Sequence, residues 1–185
     1  MRLVEKETFY HITRENRWNT NPRFEKGKTY KIGEKFNPFR QYFDNIDFQV
    51  AGEFIDHHYL RYIEDSHKMR RELVFEEVRR ELYPDYPSRY TCLWLLPHNY
   101  EAIEDWWRMF GNKGQILKLN VTGKIHETSE AHLKLGYFNL KEERERAIKY
   151  WDGKPEGKYK YDEFLFEGSI TVEEVYTIEQ LRALL

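Results

Sequence analysis

Three well-separated positions carry the side chains best suited to chemistry. His11 lies in the middle of Thr8–Thr13 (TFYHIT), with the hydroxyl of Thr13 two residues on, so both face the same side of an extended segment. Glu163 is the second residue of the alternating run DEFLFEG (Asp162–Gly168), with Glu167 on the same side. Four extended residues span roughly 13 Å, so the two glutamates cannot serve one reacting centre. A carboxylate on a strand is rigidly placed and negatively charged. It suits binding of a ribose hydroxyl or stabilisation of an oxocarbenium-like centre. Arg89 follows a proline-bracketed turn and stands at the mouth of the apolar run Thr91–Leu96. There its planar fork can be aimed at an anion or can pair with a surface carboxylate. Tyr90 lies beside it.

Other candidates are weaker. His57-His58 are neighbours on a helical segment and point about 100° apart, so they cannot grip one metal from one face. Asp162, Glu163 and Glu167 form an acidic cluster with no second cluster to complete a cation site. Cys92 sits inside an apolar run and reads as an inert small hydrophobe; as a single cysteine it excludes an internal disulfide. The glycine-rich dinucleotide fingerprint, the phosphate-loop lysine motif, the serine-hydrolase elbow and the zinc-protease helix motif are all missing.

These side chains must be positioned by a chain of 185 residues, the size of one domain, 1–185, with a proper core. The net charge of −2 supplies no global field toward nucleic acid or membrane. With 34% charged residues and no long apolar run, the expectation is a cytoplasmic protein with no membrane segment. Aromatic residues make up 17% of the chain and must do much of the packing.

The period of apolar residues predicts a helix from Met69, with Met69, Leu73, Val78 and Leu82 inward, stopped by Pro84 and Pro87. A second helix covers Glu53–Ile63, and Asp65-Ser66 caps the break between the two. The aromatic segment Phe36–Phe48 reads as a long loop. Short strands are expected at Thr29–Ile32, Thr91–Leu96 and Gln115–Val121. DEFLFEG and Ile170–Tyr176 read as two strands separated by a bend at Gly168. Asn99 caps a helix with Ile103, Trp106, Trp107 and Phe110 on one buried stripe. Ser129–Gly136 is a weak helix. Asn139 with Glu142, and Thr177 with Gln180, mark two more helix starts. Strands and helices mix without strict alternation, which favours an α+β fold.

FYHIT resembles the first-strand His-x-Ser/Thr element of the ADP-ribosyltransferase superfamily, which includes poly-ADP-ribose polymerases, RNA 2′-phosphotransferases and DNA-modifying toxins. DEFLFEGSI resembles that superfamily's glutamate-bearing strand. The whole chain also resembles a small bacterial family of unknown function, marked by R-x-x-x-P-x-x-P-S-R at Arg80–Arg89. The superfamily resemblance implies a split β-sheet core with flanking helices and NAD bound between two small sheets. It implies His11 and Thr13 on the two riboses, Arg89 on the pyrophosphate, Tyr90 against nicotinamide and Glu163 as the catalytic acid. NAD is then the substrate, and a protein or nucleic acid the acceptor. The glycine that commonly follows the histidine is Ile12 here. The alternatives are a non-catalytic RNA- or protein-binding domain of the same fold, and a plain interaction domain.

Overall fold

The structure is a computed structural model that describes residues 1–13, 23–45, 55–136, 139–156 and 163–184. In chain order the elements are β1 (Arg2–Ile12), β2 (Thr29–Ile32), α1 (Pro38–Asp44), α2 (Ile55–Leu82), β3 (Leu93–Leu95) and α3 (Tyr100–Met109). Then come β4 (Ile116–Thr128), a 3-10 turn (Glu130–Leu133), α4 (Leu140–Trp151), β5 (Glu163–Tyr176) and α5 (Ile178–Leu184). The fold is α+β. Among the described residues the strands form one open antiparallel sheet in the order β1-β4-β5-β2, with β3 also paired to β5. A single hydrogen-bonded sheet thus stands where two small ones are expected.

The two long strands organise the sheet. β5 runs unbroken through Gly168, so the expected bend between two strands is absent, and β4 continues past Val121 to Thr128 to match it. Gly123 and Gly168 sit directly opposite each other, at φ +159° and +145°. A Cβ on Gly168 would lie 2.4 Å from the Thr122 carbonyl oxygen and 2.7 Å from Gly123 Cα, so only glycine permits this approach. β2 and β3 share the second edge of β5, at 168–171 and 164–166. Just past β3, Leu96 exchanges two backbone hydrogen bonds with Tyr10, at 2.9 and 2.7 Å. β1 is thereby drawn back toward β3, and the sheet is rolled.

Alternation then sorts the side chains into separate cores. Phe9, Leu95, Leu119, Phe164, Phe166 and Val172 fill the inner face of the roll. Leu165 points the other way, into a layer with Phe75 and Val78 of α2 and Ala147, Tyr150 and Trp151 of α4. Tyr10, Ile12 and Ile116 pack against Ile103 of α3 and Leu181 of α5. Both faces of the 163–166 segment are therefore covered, with Glu163 buried and Glu167 partly buried.

Several local expectations change. α2 is one continuous helix across Asp65-Ser66; Asp65 is buried and accepts from the Tyr42 hydroxyl at 2.8 Å instead of capping. Its buried face holds Arg71, Glu72, Phe75, Glu76 and Val78, whereas Leu73 and Leu82 are exposed. The segment read as an aromatic loop contains α1, capped by Asn37 and opened by Pro38. The strand over Thr91–Leu96 shrinks to Leu93–Leu95, and the helix over Ser129–Gly136 is the 3-10 turn. Ala102 and Ile103 are the buried residues of α3, while Trp106 and Trp107 are half-buried. Asp162, the 14–22 loop and Phe48 lie outside the described residues, as do the side chains of His57 and His58.

Gly168→Ala should be among the most disruptive small substitutions, costing more than the roughly 0.4–1 kcal/mol that a conformationally compatible glycine replacement gains. An unchanged chemical-denaturation midpoint would show that the two long strands do not meet as closely as described. A second outcome concerns His126, buried between Tyr86, Tyr150 and Trp151, with Nε2 3.1 Å from the Tyr150 carbonyl oxygen. Burial pushes its pKa down from 6.5 to about 4. The unfolded chain therefore takes up this proton first, and stability falls as pH drops from about 6.5 to about 4. The full shift corresponds to on the order of 3 kcal/mol. His126→Gln, which can still donate to Tyr150 but cannot titrate, should flatten that slope. An identical pH dependence in the variant would assign the acid sensitivity elsewhere.

Candidate functional site

The site is built around the turn between α2 and β3. Arg79 donates to the carbonyls of Pro84 and Tyr86, both at 3.0 Å, and so satisfies backbone acceptors that the ended helix cannot. After Pro87 the chain turns on Ser88, whose carbonyl accepts from Thr91 and Cys92 and whose hydroxyl accepts from the Tyr90 N–H. Two polar side chains clamp this turn from outside. Glu167 Oε1 accepts from the Ser88 N–H at 2.9 Å and the Thr91 hydroxyl at 2.7 Å. Asn37 donates to the carbonyls of Arg89 and Cys92 at 2.9 and 3.1 Å. Glu163 and Glu167 are thus divided: Glu167 holds the Ser88–Thr91 turn, and Glu163 is left for the guanidinium.

Arg89 is only 3% exposed. Its Nε donates to Glu72 Oε2 at 2.7 Å and its Nη2 to Glu72 Oε1 at 3.3 Å. Its Nη1 donates to the Tyr150 hydroxyl at 2.6 Å and to Glu163 Oε1 at 2.7 Å. The guanidinium also lies over the rings of Tyr150 and Trp94, at 5.2 and 5.7 Å. Glu72 accepts in addition from Arg71 at 2.8 and 3.1 Å, and Arg71 donates onward to the Leu133 carbonyl. Two guanidinium groups thus face two carboxylates in a region closed to solvent. Burial works against the charged forms of Arg89 and Glu72. Glu163 and Glu72 nonetheless hold the Arg89 pKa well above its ordinary value, and Arg89 and Arg71 hold the Glu72 carboxyl below its own.

Trp94 joins this cluster to β1. Its indole Nε1 donates to Glu163 Oε1 at 2.7 Å, and its carbonyl oxygen lies 2.7 Å from His11 Nδ1. A carbonyl only accepts, so His11 carries its proton on Nδ1 and presents Nε2 as an acceptor. Burial lowers the His11 pKa to about 4, against a smaller upward pull from that hydrogen bond, so the ring is neutral around pH 7. Glu163 Oε2 is buried and has no hydrogen-bond partner among the described residues.

Three of the expected site residues are therefore linked, His11 only through Trp94. His11 and Glu163 are bound to the two ends of Trp94, and Arg89 grips Glu163. The expectation that Arg89 faces the pyrophosphate of a ligand is corrected: carboxylates and a phenol occupy its fork. The other two residues lie apart. The Thr13 hydroxyl accepts from the Gln115 N–H at 2.7 Å beyond the end of β1. Tyr90 lies under the Arg40 guanidinium at 5.1 Å and lines a different groove of about 530 Å³ with Leu73, Glu76 and Arg80. Burial raises its hydroxyl pKa to about 12. Among the described residues no group of three or more His, Cys, Asp or Glu is placed to hold a metal ion, and no helix is long and apolar enough to cross a membrane. Sequence reasoning missed Glu72, Trp94 and Tyr150. The only available signal was an interior apolar run that carries one indole N–H, which needs an acceptor when buried.

A single rolled antiparallel sheet, with a buried carboxylate–guanidinium cluster between its outer face and helices α2 and α4, defines the architecture. Residues 9–179 match the family described as "Protein of unknown function (DUF2441)", and the chain belongs to that family. No curated protein matches the chain.

Removing Arg89 would leave Glu72 and Glu163 buried without their shared counter-charge. Arg89→Met should therefore cost about 3–5 kcal/mol, measured as a shift in the denaturant midpoint. Arg89→Lys should recover little of it, because an ammonium cannot bind both glutamates through a planar fork. A midpoint equal to the parent's in either variant would contradict the burial of this group.

Proposed function

We propose that the protein is an NAD-binding, ADP-ribosyltransferase-like enzyme that transfers ADP-ribose to a macromolecular acceptor, with Glu163 as the reactive carboxylate. One observation carries the reading. His11 and Glu163, the two elements of the sequence resemblance, lie far apart in the chain yet are hydrogen-bonded to the same residue, Trp94. In this reading neutral His11 accepts from a ribose hydroxyl through Nε2. Glu163 faces the nicotinamide-side ribose through Oε2. The bond between ribose C1′ and the nicotinamide nitrogen breaks with its electron pair leaving on nicotinamide. Glu163 stabilises the positive charge that develops on the sugar until an acceptor attacks and releases its proton. Arg89 orients Glu163 and does not touch the pyrophosphate. Thr13 and Tyr90 fall outside the reacting centre. The finer fold assignment, of the ADP-ribosyltransferase type with the one sheet rolled into two packed halves, belongs to the same proposal; the Tyr10–Leu96 bridge that returns β1 to the end of β3 supports it.

A specific observation favours a second reading. Glu163 is 6% exposed and ion-paired to Arg89, as a purely structural carboxylate would be. The chain would then be a non-catalytic domain of the same fold that binds RNA ends or a protein. Calorimetric titration with NAD, followed by nicotinamide release in the presence of protein, DNA and RNA acceptors, separates the two. The proposed activity requires NAD binding by the parent and a loss on the order of a hundredfold in turnover for Glu163→Gln. Equal turnover in both proteins would remove Glu163 from the reaction, and a parent that binds no NAD would favour the second reading.

A further inference from the structure

The two oxygens of Glu163 are treated very differently. Oε1 accepts two hydrogen bonds of 2.7 Å, one from the Arg89 guanidinium and one from the Trp94 indole. Oε2 is buried and bare among the described residues. A carboxylate has about four lone-pair sites, and leaving one of its oxygens unpaired in the interior is unfavourable. Loading one oxygen fully while leaving its twin empty is how a protein fixes a carboxylate by one end and offers the other. Two donors approaching from different elements are needed for this. A single donor would leave the carboxylate plane free to turn about the contact.

The two donors differ in kind. Arg89 belongs to the buried charge cluster and brings positive charge. Trp94 belongs to β3, and its N–H can donate but never accept, so the polarity of its contact is fixed. Its ring is held in turn. Trp94 pairs with Leu165 in the sheet, the edge-to-face ring of Phe39 lies 5.7 Å away, and the Arg89 guanidinium lies 5.7 Å over the indole. The carbonyl of the same residue lies 2.7 Å from His11 Nδ1. The spacing of His11 and Glu163 is therefore set through one amino acid.

We infer that Trp94 is a positioning residue: it anchors Glu163 by Oε1, leaves Oε2 as the working oxygen, and holds His11 in register with it. The inference rests on the NAD-cleaving reading above. Trp94→Phe tests it, because it keeps the backbone carbonyl for His11 and most of the ring, and deletes the single N–H. Turnover of NAD should fall about 10- to 100-fold while KM for NAD stays within about twofold, the pattern of an interaction felt in the transition state rather than in ground-state binding. A kcat equal to the parent's, or a loss confined to KM, would overturn the inference. A second readout needs no turnover. The Trp94 indole ¹H–¹⁵N resonance, identified by its loss in Trp94→Phe, should shift in Glu163→Gln; an unmoved resonance would show that the indole does not hold Glu163. A parent that fails to cleave NAD would defeat the activity reading alone, and the anchoring would still stand or fall on that resonance.

Discussion

The buried pairing of Arg89 with Glu72 and Glu163 is the constraint that the rest of the structure serves. Taking three charges out of water is costly, and the cost is offset only where geometry is close to ideal and the remaining donors and acceptors are filled. Each partner comes from a different element: Glu72 from α2, Glu163 from β5, the Tyr150 hydroxyl from α4, and Arg89 from the turn before β3. One guanidinium thus sets where four pieces of chain converge. The surrounding features follow from that demand. Glu167 and Asn37 clamp the turn that carries Arg89, and Arg71 supplies the second positive charge that Glu72 needs.

Sheet geometry delivers the remaining part of the site. The close approach at Gly123 and Gly168 lets two strands of 13 and 14 residues stay paired along their full length. The bridge between Tyr10 and Leu96 then returns β1 to the segment after β3. Without that return His11, on β1, would be separated from Glu163, on β5, by the whole width of β4. With it, a single residue of β3 contacts both. Positioning here is a property of backbone pairing first and of side chains second.

What could be read from the sequence was whatever is decided locally. Asn99 caps α3, Asn139 and Glu142 form a reciprocal capping box on α4, and Thr177 and Gln180 do the same at α5, because each uses side chains within three residues of the backbone groups they satisfy. The alternation of Phe164 and Phe166 against Leu165 was legible for the same reason. The buried face of α2 was not. Its apolar stripe through Leu73 and Leu82 points outward, and Arg71, Glu72 and Glu76 turn inward to meet residues distant in the chain. No hydrophobic period can show that a charge is inward when its partner is Arg89. Asp65-Ser66 failed as a helix break because Asp65 bonds Tyr42 of α1, again a tertiary contact. In the site, His11 and Glu163 stood out by residue type and strand position, and their connection through Trp94 did not.

The central proposal is that His11 and Glu163, joined through Trp94, act on one ligand, with His11 neutral and protonated on Nδ1. Long-range ¹H–¹⁵N correlation of the histidine rings during an NAD titration tests it most directly, with His11 identified by the loss of its signals in His11→Gln. The free protein should show His11 as the Nδ1–H tautomer and still neutral at pH 5.5, since its pKa lies near 4. Addition of NAD should shift the Nε2 resonance while the tautomer persists. A His11 that titrates near pH 6.5, or an Nε2 signal that NAD leaves unchanged, would contradict the account.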